Sequence, residues 1–216
     1  MGTGTTRIVA ISRKEGYYAK THEVINISNE NNPWVPPKIP DKPKYIVLDI
    51  ETSGLTSWYG DSITCICAKD NDGRRFSEVN SKQMDKDEID LIQSFLNWIS
   101  SYSDDDTFLV TKNGRQFDVP FLMVRRTLLD LFDKDNDSID LIDFDHFDLQ
   151  EITSKRISLQ QMAELLGCTP KSDTGKDAIK LWREERFKEL KEYCMQDVET
   201  TEEVFLGWRK LQNGQM

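Results

Sequence analysis

A short apolar run that leads directly into two acids is the feature that most constrains what this chain can fold into. Residues 45–48 read Tyr-Ile-Val-Leu, which is typical of a central strand covered on both faces. Asp49 and Glu51 follow, before the turn signal Thr52-Ser53-Gly54. Side chains two positions apart on a strand share a face, with Cα atoms roughly 7 Å apart. The two carboxylates can therefore converge on one cation, which would compensate their repulsion. A solvated strand end is the equally weighted alternative.

Composition indicates a globular protein and excludes several classes of function. The 216 residues are 38% hydrophobic and 31% charged, enough for one α/β domain with a full core and an appendage. No apolar run approaches the roughly 18 residues that span a bilayer, and no signal peptide opens the chain, so no membrane association is predicted. The net charge of −10 argues against non-specific coating of nucleic acid. It is compatible with an enzyme that holds its substrate through metals and a few basic groups.

The cysteines indicate a reducing environment. The chain has four, at Cys65, Cys67, Cys168 and Cys194. Because no Cys-x-x-Cys pair occurs, neither a zinc knuckle nor a disulfide framework is expected. We interpret Cys65 and Cys67 as core or surface thiols and predict a cytoplasmic location.

Two regions of different character divide the chain. Residues 1–43 contain a polar stretch, 29–32, and a proline-rich stretch, 33–40, which favours extended over helical backbone. We interpret this region as an arm or linker that is partly disordered or adds short strands. Residues 44–216 have the denser pattern of one folded domain.

The folded region predicts an α/β domain with a mixed sheet flanked by helices. Strand-like runs at 62–69 and 75–79 follow the first strand and are joined by the hairpin turn Asn71-Asp72-Gly73. Strands then alternate with helices. The remaining predictions are helices at 85–102, 117–131 and 159–166, the last headed by Ser158 and ended by Gly167, a helical region at 178–211, and strands at 107–111 and 139–143.

Two further groups of residues join the opening acids. Asn113-Gly114-Arg115-Gln116-Phe117-Asp118 places an acid where a helix begins just after a strand, and alone it favours a helix-initiating Asp. Tyr193 and Asp197 are four residues apart on a helix and so share a face. Alone, that pair is more often a surface hydrogen bond than a site.

Together, the three groups resemble the three motifs of the DEDD exonucleases. Asp-x-Glu lies on a strand, Asn and Phe-Asp follow a strand, and Tyr-x-x-x-Asp lies on a late helix, with the tyrosine of the DEDDy subgroup. Over residues 44–211 the chain is similar to the proofreading domain of family B DNA polymerases and its stand-alone relatives. The resemblance implies the ribonuclease H-like fold.

The resemblance also implies a metal site with two divalent ions, Mg²⁺ or Mn²⁺. Such ions prefer the oxygen ligands that Asp and Glu supply. By resemblance, Asp49, Glu51 and Asp197 hold the first ion, and Asp49 bridges to the second. Asp118 acts through water, and Tyr193 orients the attacking water.

Weaker predictions concern the substrate. Leu55 is a candidate wedge at the last base, Asn113 a hydrogen-bonding group, and Phe117 either a stacking or a core residue. The other candidate contacts are Thr52 and, for phosphates, Lys112, Arg115, Lys171 and Lys176. His22 and His146 are interpreted as surface residues. Asp145, His146 and Asp148 form either a second metal site or, with more weight, a solvated strand end.

The sequence therefore predicts a 3′-5′ exonuclease that acts on the 3′ end of single-stranded nucleic acid and releases nucleoside 5′-monophosphates. DNA is the favoured substrate and RNA the alternative, and a replication or repair protein is an expected partner. Oligomeric state is left open. Two rivals remain: a non-catalytic nucleic-acid-binding or adaptor module, and an endonuclease on the same fold.

Overall fold

The structure is a computed structural model that describes residues 43–58, 60–81, 85–102, 107–129, 141–142, 144–153, 156–168 and 178–213. The predicted arm, apart from its last residue, lies outside these ranges, as do Lys171 and Lys176. None of the helices in the described ranges combines the length and the apolar character needed to cross a bilayer.

A five-stranded mixed sheet forms the centre of the fold. Its strands are β1 (Lys44–Thr52), β2 (Ile63–Asp70), β3 (Arg75–Val79), β4 (Thr107–Thr111) and β5 (Asp145–Asp148), in the order β3-β2-β1-β4-β5. β1, β2 and β3 pair antiparallel, whereas β4 runs parallel to β1 and β5 runs parallel to β4. The predicted ribonuclease H-like α/β sheet, with three strands in hairpin order before the strands that alternate with helices, is confirmed.

Helices cover both faces of the sheet. One face carries α1 (Asp85–Ile99), which a short 3₁₀ turn (Ser100–Tyr102) continues, and α2 (Asp118–Leu128). The other face carries α3 (Leu159–Leu166), α4 (Ala178–Arg183) and α5 (Phe187–Gln212), and a second 3₁₀ turn (Leu149–Ile152) follows β5. Ser158 and Gln161 form a capping box on α3, and Gly167 ends that helix in the left-handed conformation, as predicted.

Strand alternation separates two apolar cores. Tyr45 and Val47 face the core under α3, α4 and α5, whereas Ile46, Leu48 and Ile50 face the core under α1 and α2. Asp49 and Glu51 continue the odd-numbered series, so the period of the strand places them on the α5 face. Phe205 fixes α5 on this face through edge-on ring contacts with Tyr45, Phe108 and Phe147, at centroid distances of 5.1, 5.8 and 5.3 Å.

A buried ion pair positions α2, the helix that begins with Asp118. Glu88 of α1 binds Arg125 of α2 through two hydrogen bonds of 2.8 and 2.6 Å. The same Glu88 carboxylate accepts a hydrogen bond from the backbone N–H of Ile63 at 2.8 Å. Because α1, α2 and the start of β2 meet at one carboxylate, α2 has little freedom to shift relative to the sheet.

One predicted strand is wrong in its position, and one predicted helical region is interrupted. The last strand in the described ranges is β5. Of the predicted strand 139–143 only residues 141 and 142 are described, and they form a turn in which Leu141 is buried against the α1 and α2 core. β5 carries polar residues that are buried through hydrogen bonds, so its sequence lacks the apolar pattern of a strand. The helical region 178–211 is divided into α4 and α5, and Glu185 between them has a φ of 57°.

Candidate active site

The first two acids lie on the part of β1 that extends past its neighbour β4. The parallel pairing of β1 with β4 ends at Val47 and Val110, whereas the antiparallel pairing with β2 continues to Thr52. Asp49 and Glu51 therefore lie on a strand segment that β2 supports on one edge and that β4 leaves open on the other. Both side chains are partly buried.

Asp118 occupies this open edge. One oxygen of its carboxylate accepts a hydrogen bond from the backbone N–H of Ile50 at 3.1 Å, and the residue is 5% exposed. Because Ile50 lies between Asp49 and Glu51, the bond holds the start of α2 beside both acids. Asp118 is therefore both the first residue of α2 and a neighbour of the first two acids.

Helix α5 supplies the fourth acid. Leu190, Cys194 and Val198 form its buried stripe, and Tyr193 and Asp197 lie beside that stripe, each partly buried. The Sγ atom of Cys194 is 3.4 Å from Oδ2 of Asp49. The negative charge of Asp197 acts on both Asp49 and Asp118. The structure thus brings the four predicted acids together, and Tyr193 lies one helical turn before Asp197.

The electrostatics of these acids are unfavourable in the absence of a cation. Burial raises the pKa of Asp49 well above its usual range, and the charges of Glu51, Asp118 and Asp197 act in the same direction. Burial also raises the pKa of Asp118 to about 7, although the hydrogen bond from Ile50 opposes the shift. A set of hard oxygen donors that repel one another in this way fits hard divalent ions.

A carboxylate on β5 holds the loop between β4 and α2. Oδ1 of Asp148 accepts a hydrogen bond from the backbone N–H of Asn113 at 2.7 Å, and Oδ2 accepts one from Arg115 at 3.0 Å. Asn113 has a φ of 67°, in the left-handed region that Asn tolerates better than most residues. Asp148 therefore fixes the backbone of the segment from Asn113 to Asp118, although it lies 30 residues beyond Asp118 in the sequence.

Close packing at the end of β4 makes the same loop tight. A Cβ atom on Gly114 would lie 2.5 Å from Cβ of Thr111, so only glycine fits at this position. The Thr111 hydroxyl accepts a hydrogen bond from Gly114 N–H at 3.2 Å and lies 2.7 Å from Nε2 of His146. Burial lowers the pKa of His146 to about 4, and the Arg115 charge acts in the same direction.

The interpretation of β5 as a solvated strand end is wrong for two of its residues. His146 is 8% exposed and Asp148 is 3% exposed, so neither is a surface group. Sequence reasoning missed their role because the groups that bury them include partners more than 30 residues away in the chain. Asp145 is exposed, as expected of a solvated position.

The predicted substrate residues have different surroundings. Leu55 is 80% exposed on the loop after β1. Trp58, on the same loop, is 64% exposed, and the sequence analysis did not select it. Thr52 is buried, and its hydroxyl donates to the carbonyl of Gly54 at 2.6 Å. Phe117 is partly buried against the α1 and α2 core, with its ring 5.5 Å from that of Phe121.

The two basic residues of the loop are engaged locally. Lys112 donates to Oε1 of Gln150 at 2.6 Å, and burial lowers its pKa. Arg115 forms an ion pair with Glu151 at 3.0 Å and donates to the backbone oxygen of His146. Both therefore brace the loop against β5 and the turn that follows it.

Comparison with known proteins shows the family of the chain. The profile of a family described as "Predicted 3′-5′ exonuclease related to the exonuclease domain of PolB" matches residues 59–216, a range that begins after Asp49 and Glu51. No curated protein sequence is significantly similar to the chain.

Two solved structures are similar to the fold. The family B DNA polymerase from the hyperthermophilic archaeon Pyrobaculum calidifontis has a TM-score of 0.60 and 20% identity, over 79% of this chain and 24% of that chain. Escherichia coli exonuclease I, in complex with a dT13 oligonucleotide, has a TM-score of 0.41 and 14% identity, over 80% of this chain and 42% of that chain. The chain thus spans less than half of either protein, and the polymerase similarity shows the fold alone. From the family match, the chain belongs to the predicted 3′-5′ exonucleases related to the exonuclease domain of PolB.

Proposed function

We propose that the chain is a metal-dependent 3′-5′ exonuclease of the DEDDy type that acts on single-stranded nucleic acid. It would hydrolyse the phosphodiester bond at the 3′ end and release nucleoside 5′-monophosphates. The observation that carries this proposal is the convergence of Asp49, Glu51, Asp118 and Asp197 at the open edge of β1. The relation of the family to a DNA polymerase domain favours DNA as the substrate, with RNA as the alternative.

The donor set supports two divalent ions, Mg²⁺ or Mn²⁺, as cofactors. Asp49, Glu51, Asp118 and Asp197 would hold them, since all four offer hard oxygen ligands. When bound, two such ions activate a water nucleophile and stabilise the departing 3′ oxygen. The ions would also neutralise the mutual repulsion that raises the pKa of Asp49.

Tyr193 would position the attacking water. It lies one turn before Asp197 on α5, so a ligand held by Asp197 is within reach of the same helix face. A phenol is a poor proton acceptor at neutral pH, so its hydroxyl would orient the water by hydrogen bonding and would not remove its proton.

The loop after β1 offers contacts for the terminal bases. Leu55 and Trp58 project exposed apolar side chains within nine residues of Asp49, and an indole is a good stacking surface for a base. Thr52, Asn113 and Phe117 would complete the contacts near the terminal nucleotide. Lys171 and Lys176 are proposed phosphate contacts on a loop outside the described ranges.

A nuclease assay with matched substrates tests the proposal. The protein is incubated with a 5′-labelled single strand, the same strand circularised, and an RNA strand of the same sequence, each with Mg²⁺ or with EDTA. We expect a ladder that shortens one nucleotide at a time from the 3′ end, loss of activity in EDTA, and an intact circle. Cleavage of the circle would favour the endonuclease, and no cleavage with any metal would favour the adaptor.

Substitution of the acids tests the site itself. Asp49→Ala and Asp197→Ala are expected to abolish hydrolysis while leaving the fold intact, because each removes a proposed metal ligand. The matched control is Glu192→Ala, an exposed acid on α5 close in sequence to Asp197. If either acid variant kept near wild-type turnover in Mg²⁺, the assignment of the site would be wrong.

We also propose that the arm, residues 1–43, is not needed for folding or catalysis. The described residues of both apolar cores lie between Tyr45 and Trp208. A truncated protein that begins at Lys42 is therefore expected to melt cooperatively and to keep its nuclease activity. Loss of cooperative melting would show that the arm contributes to the fold.

Two further observations support an expected setting for the enzyme. All four cysteines are free thiols, which supports a reducing, cytoplasmic environment. The relation to a polymerase exonuclease domain supports a replication or repair protein as its partner.

A further inference from the structure

The sheet face that carries the first two acids also carries a cluster of thiols. In the pairing of β1 with β2, Asp49 lies opposite Cys67 and Glu51 lies opposite Cys65. Residues that alternate along a strand share a face, so two acids and two thiols occupy four neighbouring positions under α5. The thiols are fully buried, and the proposed nuclease mechanism does not use them.

Cys194 of α5 lies between the two pairs. Its Sγ atom and those of Cys65 and Cys67 are all within 4.8 Å of one another. The same Sγ atom is also within 4.8 Å of a carboxylate oxygen of Asp49 and of Glu51. One face of the sheet thus holds a group of sulfur ligands next to a group of oxygen ligands, and the Cys194 thiol lies near both.

The spacing of the sulfur atoms matches that of ligands to one metal ion. A Zn²⁺ ion binds thiolates at roughly 2.3 Å, and tetrahedral geometry then separates two sulfurs by about 3.8 Å. The Sγ atoms of Cys65 and Cys67 are 3.9 Å apart. Cys194 approaches them from α5, the helix packed on this face, and offers a third sulfur ligand.

Ligand softness separates the two neighbouring groups. Thiolates select soft or borderline ions such as Zn²⁺ and Cd²⁺, whereas carboxylates select Mg²⁺ and Mn²⁺. The sulfur group therefore favours an ion of the zinc class, whereas the oxygen group favours Mg²⁺ or Mn²⁺.

We propose that Cys65, Cys67 and Cys194 form a binding site for one soft divalent ion of the zinc class, which clamps α5 to β2. Each thiol releases its proton to solvent when it binds the ion, and no atom changes oxidation state. The clamp would lie one residue after Tyr193 and three before Asp197. The proposal that this site binds metal rests on the positions of the thiols alone. The proposal that it helps to position Tyr193 and Asp197 rests on the proposed function.

The chain contains its own control for this site. Cys168 is the one cysteine outside the proposed site. It is partly exposed, and its Sγ atom lies 3.5 Å from the backbone oxygen of Glu203. It belongs to neither ligand group, so Cys168→Ser removes a background thiol and leaves the proposed site intact.

Cadmium titration of the full chain tests the proposal. Cd²⁺ reports thiolate binding through ultraviolet charge-transfer absorption, and excess Mg²⁺ keeps the carboxylates from competing. We expect wild type and Cys168→Ser to bind one Cd²⁺ with the absorption of three thiolates, and to melt at a higher temperature with the ion than without it. Cys67→Ala is expected to weaken Cd²⁺ binding by about a hundredfold or more, since it removes a direct ligand.

The outcomes separate this site from the nuclease site. Circular dichroism without metal establishes that Cys67→Ala is folded, and Cys65→Ala replaces it if it is not. Absence of charge-transfer absorption in wild type would overturn the proposal, as would an affinity that Cys168→Ser weakens more than Cys67→Ala. Because absorption and melting need no substrate, failure of the nuclease assay would leave this result unaffected.

Discussion

The carboxylate of Asp148 accepts a hydrogen bond from the backbone N–H of Asn113 at 2.7 Å. Its second oxygen accepts one from Arg115 at 3.0 Å, and the first also accepts one from Gln150 at 2.8 Å. One buried side chain of β5 thus fixes the loop that leads from β4 to Asp118. The position of a proposed metal ligand thus depends on an acid whose hydrogen bonds, among the described residues, all come from backbone N–H groups.

Replacing Asp148 with Asn tests this dependence. The substitution keeps the size of the side chain but turns one oxygen into an NH₂ group that faces a backbone N–H donor. We expect it to lower the free energy of unfolding by about 2–3 kcal/mol, measured by urea denaturation, and to reduce nuclease turnover. The control is Asp145→Asn, an exposed acid on the same strand, whose effect should stay within about 0.5 kcal/mol. Equal stability of the two variants would contradict the role of Asp148.

The sequence predicts the acids that converge in the candidate site better than the residues that support them. Asp49 and Glu51 stand out because an apolar strand precedes them, and the strand period alone puts them on one face. Asp148 gives no such signal, because the sequence does not distinguish a carboxylate buried by backbone N–H donors from one exposed to solvent. The thiol cluster is another example. The strand period predicts that Cys65 and Cys67 share a face, but the position of Cys194 beside them depends on how α5 packs on the sheet.

Asp118→Asn tests the electrostatics of the acids without metal. Because burial raises the pKa of Asp118 to about 7, the folded state binds its proton more tightly than the unfolded state does. In EDTA, the carboxylate therefore makes wild type lose stability as the pH rises from about 4 to about 7. Asn keeps the acceptor for Ile50 N–H but carries no charge, so the variant should be more stable than wild type at about pH 8.5 and gain about half as much at about pH 5.5. Thermal melts at both pH values measure this, and a variant less stable than wild type at the higher pH would contradict it.

Tyr193→Phe separates positioning of the water from metal binding. It removes the hydroxyl and keeps the ring, which packs partly against the apolar core under α5. We expect single-turnover cleavage to slow by roughly one to three orders of magnitude, with the metal dependence unchanged. Tyr102→Phe is the matched control, since it removes a hydroxyl that donates to Asp70 at 2.7 Å outside the site. If Tyr193→Phe cleaved at the wild-type rate at every metal concentration, the phenol would contribute only packing.

His146 gives the loop a dependence on acidity that is opposite in sign to that of Asp118. Its pKa is lowered to about 4 in the folded state, chiefly by burial, whereas an ordinary histidine titrates near 6.5. Between these values the unfolded state binds the proton more readily, so the stability of the fold falls as the pH drops below about 6.5. From about pH 7.5 to about pH 5, this one group should cost about 2 kcal/mol.

His146→Gln isolates that contribution, because glutamine can still hydrogen-bond to Thr111 but does not titrate. Urea denaturation of wild type and variant, both in EDTA, gives the difference in stability at each pH. We expect a constant offset from the altered packing and, added to it, a gain of about 2 kcal/mol for the variant at about pH 5 relative to about pH 7.5. All other titrating groups are common to both proteins, so they cancel in the difference. A difference that did not change with pH would show that His146 becomes protonated without disturbing its hydrogen bond to Thr111, and that the loop before Asp118 does not depend on a neutral imidazole.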